Sequence, residues 1–109
     1  MDRRIEIVIN TIESHLDRPW EIGALSELVN LSPSRLRHLF KEETNTTLVR
    51  FIKDLRFKRA EFLLRTTFLT IKEVAVAVGL TSVSHFAREF KRIYGVGPST
   101  YRINSTTRR

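Results

Sequence analysis

Cysteine is absent from the 109 residues, which excludes a disulfide scaffold, a thiolate nucleophile and any cysteine-based zinc site. The same absence fits a reducing compartment. No apolar run approaches the roughly 20 residues that a membrane helix needs, and the first residues, Met1-Asp2-Arg3-Arg4-Ile5-Glu6, are too charged for a signal peptide. A soluble, cytoplasmic protein is expected. The chain also lacks a glycine-rich phosphate loop, a nucleophile elbow and any metal-ligand spacing. His15, His38 and His85 are scattered, and Asp54 and Glu61 sit among basic neighbours, where carboxylates serve as surface ion-pair partners. No catalysis, metal or cofactor is therefore expected.

What is present is a foldable, basic composition. At 41% apolar and 28% charged the chain can bury a core, which excludes disorder over most of its length and suits one small domain. The formal net charge is +7, unevenly placed. Residues 1–31 carry three basic and six acidic side chains, net −3, while residues 32–109 carry sixteen and six, net +10. Such an excess favours an anionic partner, nucleic acid before lipid, without establishing one.

Apolar spacing reads as helices throughout. Ile5, Val8, Ile9, Ile12 and Leu16 form one stripe, ending near Asp17-Arg18-Pro19 because the residue before proline avoids the helical region. Trp20 is expected to pack at the end of this helix. A short second helix, Ile22 to Val29, carries Leu25, Leu28 and Val29 on one face. In Asn30-Leu31-Ser32-Pro33, asparagine tolerates a left-handed turn, Ser32 caps and Pro33 suits a first helical position. The third helix turns Leu36, Leu39 and Phe40 inward. After a cap at Thr46 or Thr47, a stretch free of glycine and proline runs to about Arg65, with Leu48, Phe51, Ile52, Leu55, Ala60, Leu63 and Leu64 inward. It would be about 28 Å long. Thr70-Ile71-Lys72-Glu73 matches a capping box and opens a short helix with Ile71, Val74, Ala75 and Val78. Gly79 supplies a turn, Thr81 or Ser82 caps, and a helix from Val83 to Tyr94 buries Phe86, Phe90 and Ile93. Gly97-Pro98-Ser99 opens a last short helix with Tyr101 inward, and Asn104 to Arg109 reads as a frayed polar tail.

The most specific feature is an internal repeat. Ile22, Leu25, Val29, Asn30, Leu31 and Ser32 correspond to Ile71, Val74, Val78, Gly79, Leu80 and Thr81 at an offset of 49. Leu36, Phe40, Lys41, Asn45 and Phe51 correspond to Phe86, Phe90, Lys91, Gly95 and Tyr101 at an offset of 50, so one extra residue sits near the second turn. Each unit meets the physical criteria of a helix-turn-helix. Two in register within one basic domain are far more specific than one.

Three segments, Ile71 to Leu80, Ser84 to Lys91 and Tyr94 to Arg102, resemble the C-terminal signature of AraC/XylS-type transcription regulators. Ser32 to Thr44 resembles the first recognition unit of that family, and Leu55 to Leu64 its connecting helix. Ser26 departs from the usual alanine and Asn30 from the usual glycine. The resemblance covers about residues 5–103. It implies an all-α DNA-binding domain over 1–109, with about seven helices in two homeodomain-like helix-turn-helix subdomains. These would span about 5–45 and 70–103, joined by a long helix over 46–65, with 104–109 as a tail.

Duplex DNA shows its base edges in a major groove wide enough for a helix, so outward side chains near the start of each third helix are candidate readers. The resemblance puts base-facing positions at Ser34, Arg37 and His38, and in the second unit at Val83, Ser84, His85 and Arg88. Arg37 and Arg88 are the main hydrogen-bonding candidates, since a guanidinium can pair with both acceptors of guanine. Arg35, Lys41, Arg50, Lys91, Arg92 and Arg102 are candidates for phosphate contacts. Arg56 and Arg59 are expected to make structural contacts along the connecting helix. A rod of about 28 Å against grooves about 34 Å apart predicts bent DNA or one shallow reader. Two unlike readers predict an asymmetric site for a monomer. Family members often carry a separate ligand-binding or dimerisation domain, and this chain begins almost directly with its first helix. The expectation is therefore a DNA-binding domain excised from a longer protein, dimeric in that context, rather than a stand-alone regulator controlled by abundance. RNA polymerase is a further partner that a transcriptional activator would contact. The competing class is a helical protein-interaction module with an incidental basic face, which steep salt dependence of DNA binding would exclude.

Overall fold

The computed structural model describes residues 1–107, and among them every regular element is a helix. In chain order these are α1 (Arg3–Ser14), α2 (Ile22–Leu28), α3 (Pro33–Thr44), α4 (Leu48–Thr66), α5 (Ile71–Ala77), α6 (Val83–Tyr94) and α7 (Pro98–Thr107). None of them is long and apolar enough to cross a membrane. The chain divides into two compact units, Met1–Leu55 and the residues from Arg56 onward.

Side-chain caps explain most helix starts. Asp2, Ser32 and Ser82 accept from the amides of Arg4, Arg35 and His85, and Thr47 accepts from Arg50 at 3.2 Å. At α5 the box is reciprocal, Thr70 taking the Glu73 amide at 3.1 Å and Glu73 taking the Thr70 amide at 2.8 Å. Each cap satisfies an amide that has no partner inside its own helix. The helix ends at Asn45 and Gly95 turn left-handed, with φ of 63° and 86°.

Unit 1 buries Ile5, Val8, Ile12 and Leu16 against Leu25, Val29, Leu36, Phe40 and Leu48. Unit 2 buries Phe57, Ala60 and Leu64 against Val74, Ala75, Val78, Phe86 and Phe90. The two cores have one plan. Ile5, Val8 and Ile12 occupy the same spacing on α1 that Phe57, Ala60 and Leu64 occupy on the later half of α4. The start of α4 matches α7, because Phe51 meets Phe40 edge to face at 5.3 Å and Tyr101 meets Phe90 at 5.4 Å. The long helix thus closes the first core with its first turns and opens the second with its last.

Several expectations need correction. Helix α1 stops at Ser14, before the proline signal, because His15 leaves helical geometry and its carbonyl is taken by Trp20 Nε1 at 2.9 Å. Leu28 is 51% exposed; it lies about 110° around α2 from the stripe made by Ile22, Leu25, Ser26 and Val29. Ile93 is 41% exposed, about 40° from the centre of the stripe of Phe86 and Phe90, in the last turn of α6. Phe57, left out of the expected inward set, is 3% exposed and stacks on Phe86 at 5.7 Å. The expected tail is helical through Thr107, where Ser105 and Thr106 hydroxyls donate to the carbonyls of Tyr101 and Arg102; residues 108 and 109 lie outside the described residues.

Candidate nucleic-acid interface

The turn between α2 and α3 and the turn between α5 and α6 are built alike. Asn30 and Gly79 take positive φ, 56° and 84°, a conformation that asparagine and glycine tolerate best. The next residue doubles back: Leu31 donates to the Ser26 carbonyl at 3.0 Å and Leu80 to that of Ala75 at 2.9 Å. Ser26 is 2% exposed, and its hydroxyl turns inward onto the Gly23 carbonyl at 2.9 Å, so a serine fits where its counterpart is Ala75. The capping residues Ser32 and Ser82 are 50 apart whereas Asn30 and Gly79 are 49 apart, which puts the extra residue of the repeat between Leu80 and Ser82.

On α3 the burial of Leu36 and Phe40 leaves Ser34, Arg35, Arg37, His38 and Lys41 exposed. Ser34, Arg37, His38 and Lys41 are spaced to share one stripe and together form one side of a groove of about 490 Å³. Trp20, Ile22, Leu25, Thr47, Leu48, Val49 and Ile52 line the rest. His38 Nε2 pairs with Glu42 Oε1 at 2.9 Å. Arg35 is exposed off this stripe, and Arg50 is exposed in the first turn of α4.

On α6, Ser84, His85, Arg88, Lys91 and Arg92 are exposed and Val83 is half-buried. The equal lengths of α3 and α6 make Ser84, Ala87, Arg88 and Lys91 the counterparts of Ser34, Arg37, His38 and Lys41. Ala87, which is half-buried and was not among the expected residues, stands where α3 has Arg37. The offset of 50 was the signal that could have found it. Val83 and His85 instead match Pro33 and Arg35, beside the stripe.

Besides Arg65, which pairs with Glu61, three further basic side chains are engaged inside unit 2. Arg92 pairs with Glu89. Arg102 is half-buried and its Nε donates to the Leu64 carbonyl at 3.0 Å, in the last turn of α4. Arg56 Nη1 donates to the Gly79 carbonyl at 2.6 Å, and burial pushes its pKa down. The structural role expected for Arg56 is thus observed; Arg59 is exposed. No group of three or more His, Asp or Glu side chains among the described residues is arranged to hold a metal ion.

Residues 25–104 match the family described as a helix-turn-helix domain. The arabinose operon regulatory protein of Escherichia coli strain K12 is 36% identical over 103 residues, covering 94% of this chain and 35% of that protein. This chain spans about a third of the length of such curated relatives. Among solved structures, the C-terminal domain of the two-component response regulator yesN from Fusobacterium nucleatum superposes with a TM-score of 0.86 at 30% identity, covering 93% of this chain and 99% of that one. The DNA-binding domain of AdpA, solved with a target DNA, shares the fold with a TM-score of 0.91 at 24% identity, covering 97% and 96%.

Proposed function

The chain belongs to the AraC/XylS family of helix-turn-helix regulators, and from that premise we propose that it binds duplex DNA sequence-specifically and thereby regulates transcription. The observation that carries this reading is the duplicated, capped helix with a matching stripe, exposed Ser34, Arg37, His38 and Lys41 on α3, and exposed Ser84, Arg88 and Lys91 around half-buried Ala87 on α6. Helices of this kind enter the major groove by their N-terminal turns. In this reading Arg37 and Arg88 pair with guanine, Ala87 meets a thymine methyl, and Ser34, His38 and Ser84 make shorter polar contacts. Val83 and His85 flank the second stripe and contribute at its edge. Lys41, Lys91, Arg35 and Arg50 hold phosphates. Arg92 contributes less because Glu89 already pairs with it, and Arg102 belongs to the frame of unit 2.

The stripes differ, so one chain reads an asymmetric site and needs no palindrome. A cytoplasmic location, contact with RNA polymerase, activation of target genes and dimerisation through further segments of a longer protein complete the regulator reading. The names of the relatives support it. Selection from a random duplex library tests the DNA reading directly: two unlike blocks of base preference are expected, and bound pools without enrichment would overturn it. A titration with one selected duplex at two salt concentrations should show steep weakening as salt rises, as phosphate contacts require.

A further inference from the structure

Within the stripe of α3, His38 has its hydrogen bonding already directed. Its Nε2 meets Glu42 Oε1 at 2.9 Å, one turn further along the helix, with the two side chains 72% and 60% exposed. An ionised carboxylate only accepts, so this bond requires the imidazole proton on Nε2. A neutral imidazole has one donor and one acceptor. With the donor taken by Glu42, what His38 has left to offer is the acceptor Nδ1. In the major groove adenine and cytosine each show an amino donor, whereas guanine and thymine show acceptors alone. We propose that Glu42 is a positioning residue for base reading: by holding the Nε2 proton it makes His38 an acceptor, so that unit 1 reads the amino group of an adenine or cytosine at the base His38 meets. This inference rests on the DNA-binding reading and sets the chemistry of one contact within it. Arg37, which has donors alone, suits guanine, so neighbouring positions of the stripe read opposite edges. In the free protein a pair this exposed is weak; a duplex laid over the stripe excludes water and strengthens the bond. Helix α6 is built otherwise. At the offset of 50 the counterparts of His38 and Glu42 are Arg88 and Arg92, and Arg92 pairs with Glu89, so the device belongs to unit 1.

The test uses a duplex selected by the parent protein and the base pair whose preference His38→Ala flattens. Two altered duplexes are made at that pair. One lacks the amino group, with purine for adenine or pyrimidin-2-one for cytosine; the other lacks the partner's carbonyl, with 5-methylpyrimidin-2-one for thymine or 2-aminopurine for guanine. The parent should lose about tenfold in affinity with the amino group, the worth of one hydrogen bond, and nothing with the carbonyl. In Glu42→Gln the amide accepts from Nε2–H or donates to a bare Nε2, so both tautomers become available and the amino effect should fall to about threefold or less. Removing the Glu42 charge raises affinity for all duplexes alike, so the ratio between duplexes is the readout. Glu42 is exposed, and helical content should be unchanged. Loss with the carbonyl rather than the amino group, or an undiminished amino effect in Glu42→Gln, overturns the inference. So does an amino effect that survives His38→Ala and disappears on adding Glu42→Gln, because Glu42 would then read the base itself. Nitrogen-15 spectra of histidine-labelled protein on the selected duplex should show Nε2 protonated and Nδ1 bare at His38, and a proton on Nδ1 overturns it as well. If the parent enriches no duplex, the DNA-binding reading fails and takes this inference with it; every other adverse result overturns the inference alone.

Discussion

Arg56 donates to the carbonyl oxygen of Gly79 at 2.6 Å, tying a basic side chain of the long helix to the one residue that turns the chain from α5 into α6. Gly79 has a φ of 84°, and a turn in that region is held by what bonds to it as much as by its own preference. In unit 1 the corresponding place on α1 is taken by Arg4, which pairs with Asp2 instead.

Arg56→Met is therefore expected to destabilise unit 2 by about 1.5–3 kcal/mol, the range for a hydrogen bond involving a charged group. Arg56→Lys should recover part of this. Urea unfolding gives the totals, and hydrogen exchange should place the faster opening in α5 and α6 rather than in α2 and α3.

Glu61 accepts from the Tyr101 hydroxyl at 2.6 Å and pairs with Arg65 on the next turn. Burial pushes its carboxyl up, but the Tyr101 and Arg65 contacts outweigh burial and hold it below its ordinary value of 4.5. A lowered folded-state pKa contributes stability above the unfolded value and loses it as pH falls through the folded one. The stability difference between the parent and Tyr101→Phe should therefore be larger at about pH 7 than at about pH 3. Denaturant titrations at both values measure it, and an equal difference would show that the bond does not act through the carboxylate.

Gly95 ends α6 with a φ of 86°, and a side-chain carbon added there would meet nothing within 4 Å. Gly95→Ala should still cost about 1–2 kcal/mol, the backbone penalty of the left-handed region. Gly95→Asn should cost less, since Asn45 ends α3 in the same conformation at 63°. Thermal unfolding of the two variants separates these outcomes.

In the DNA-binding reading, Arg37→Ala should relax preference at one position of the selected site and cost about 1–3 kcal/mol there. Lys41→Ala should weaken all sequences alike and lower the salt slope by about 1. Competition titrations against the selected duplex and a scrambled one distinguish the two behaviours.

Helix identity was legible from the amino-acid sequence because it depends on local rules: apolar spacing, hydroxyl caps at Ser32 and Thr70, and left-handed turns at Asn30 and Gly79. The repeat was legible for the same reason, since each unit states its own pattern. What a side chain faces depends on neighbours that the chain brings from elsewhere, and there local spacing failed. Leu28 and Ile93 were expected inward but stay exposed, Leu28 well off the stripe of α2 and Ile93 in the last turn of α6. Phe57 sits between charged residues and is buried because α6 lays Phe86 over it.

The same division runs through the charges. The sequence by itself determined that this is a basic, cysteine-free, all-helical pair of helix-turn-helix units, because composition and periodicity need no partner. Structural contacts were expected for Arg56 and Arg59, but only the tertiary structure decided that Arg102 turns inward and Arg59 stays exposed. Arg56 and Arg102 bond to backbone carbonyls of unit 2 and Arg92 to Glu89, while Arg37 and Lys41 stay exposed beside an apolar groove. A guanidinium has the same charge in either place; whether a carbonyl lies within hydrogen-bond reach is set by packing.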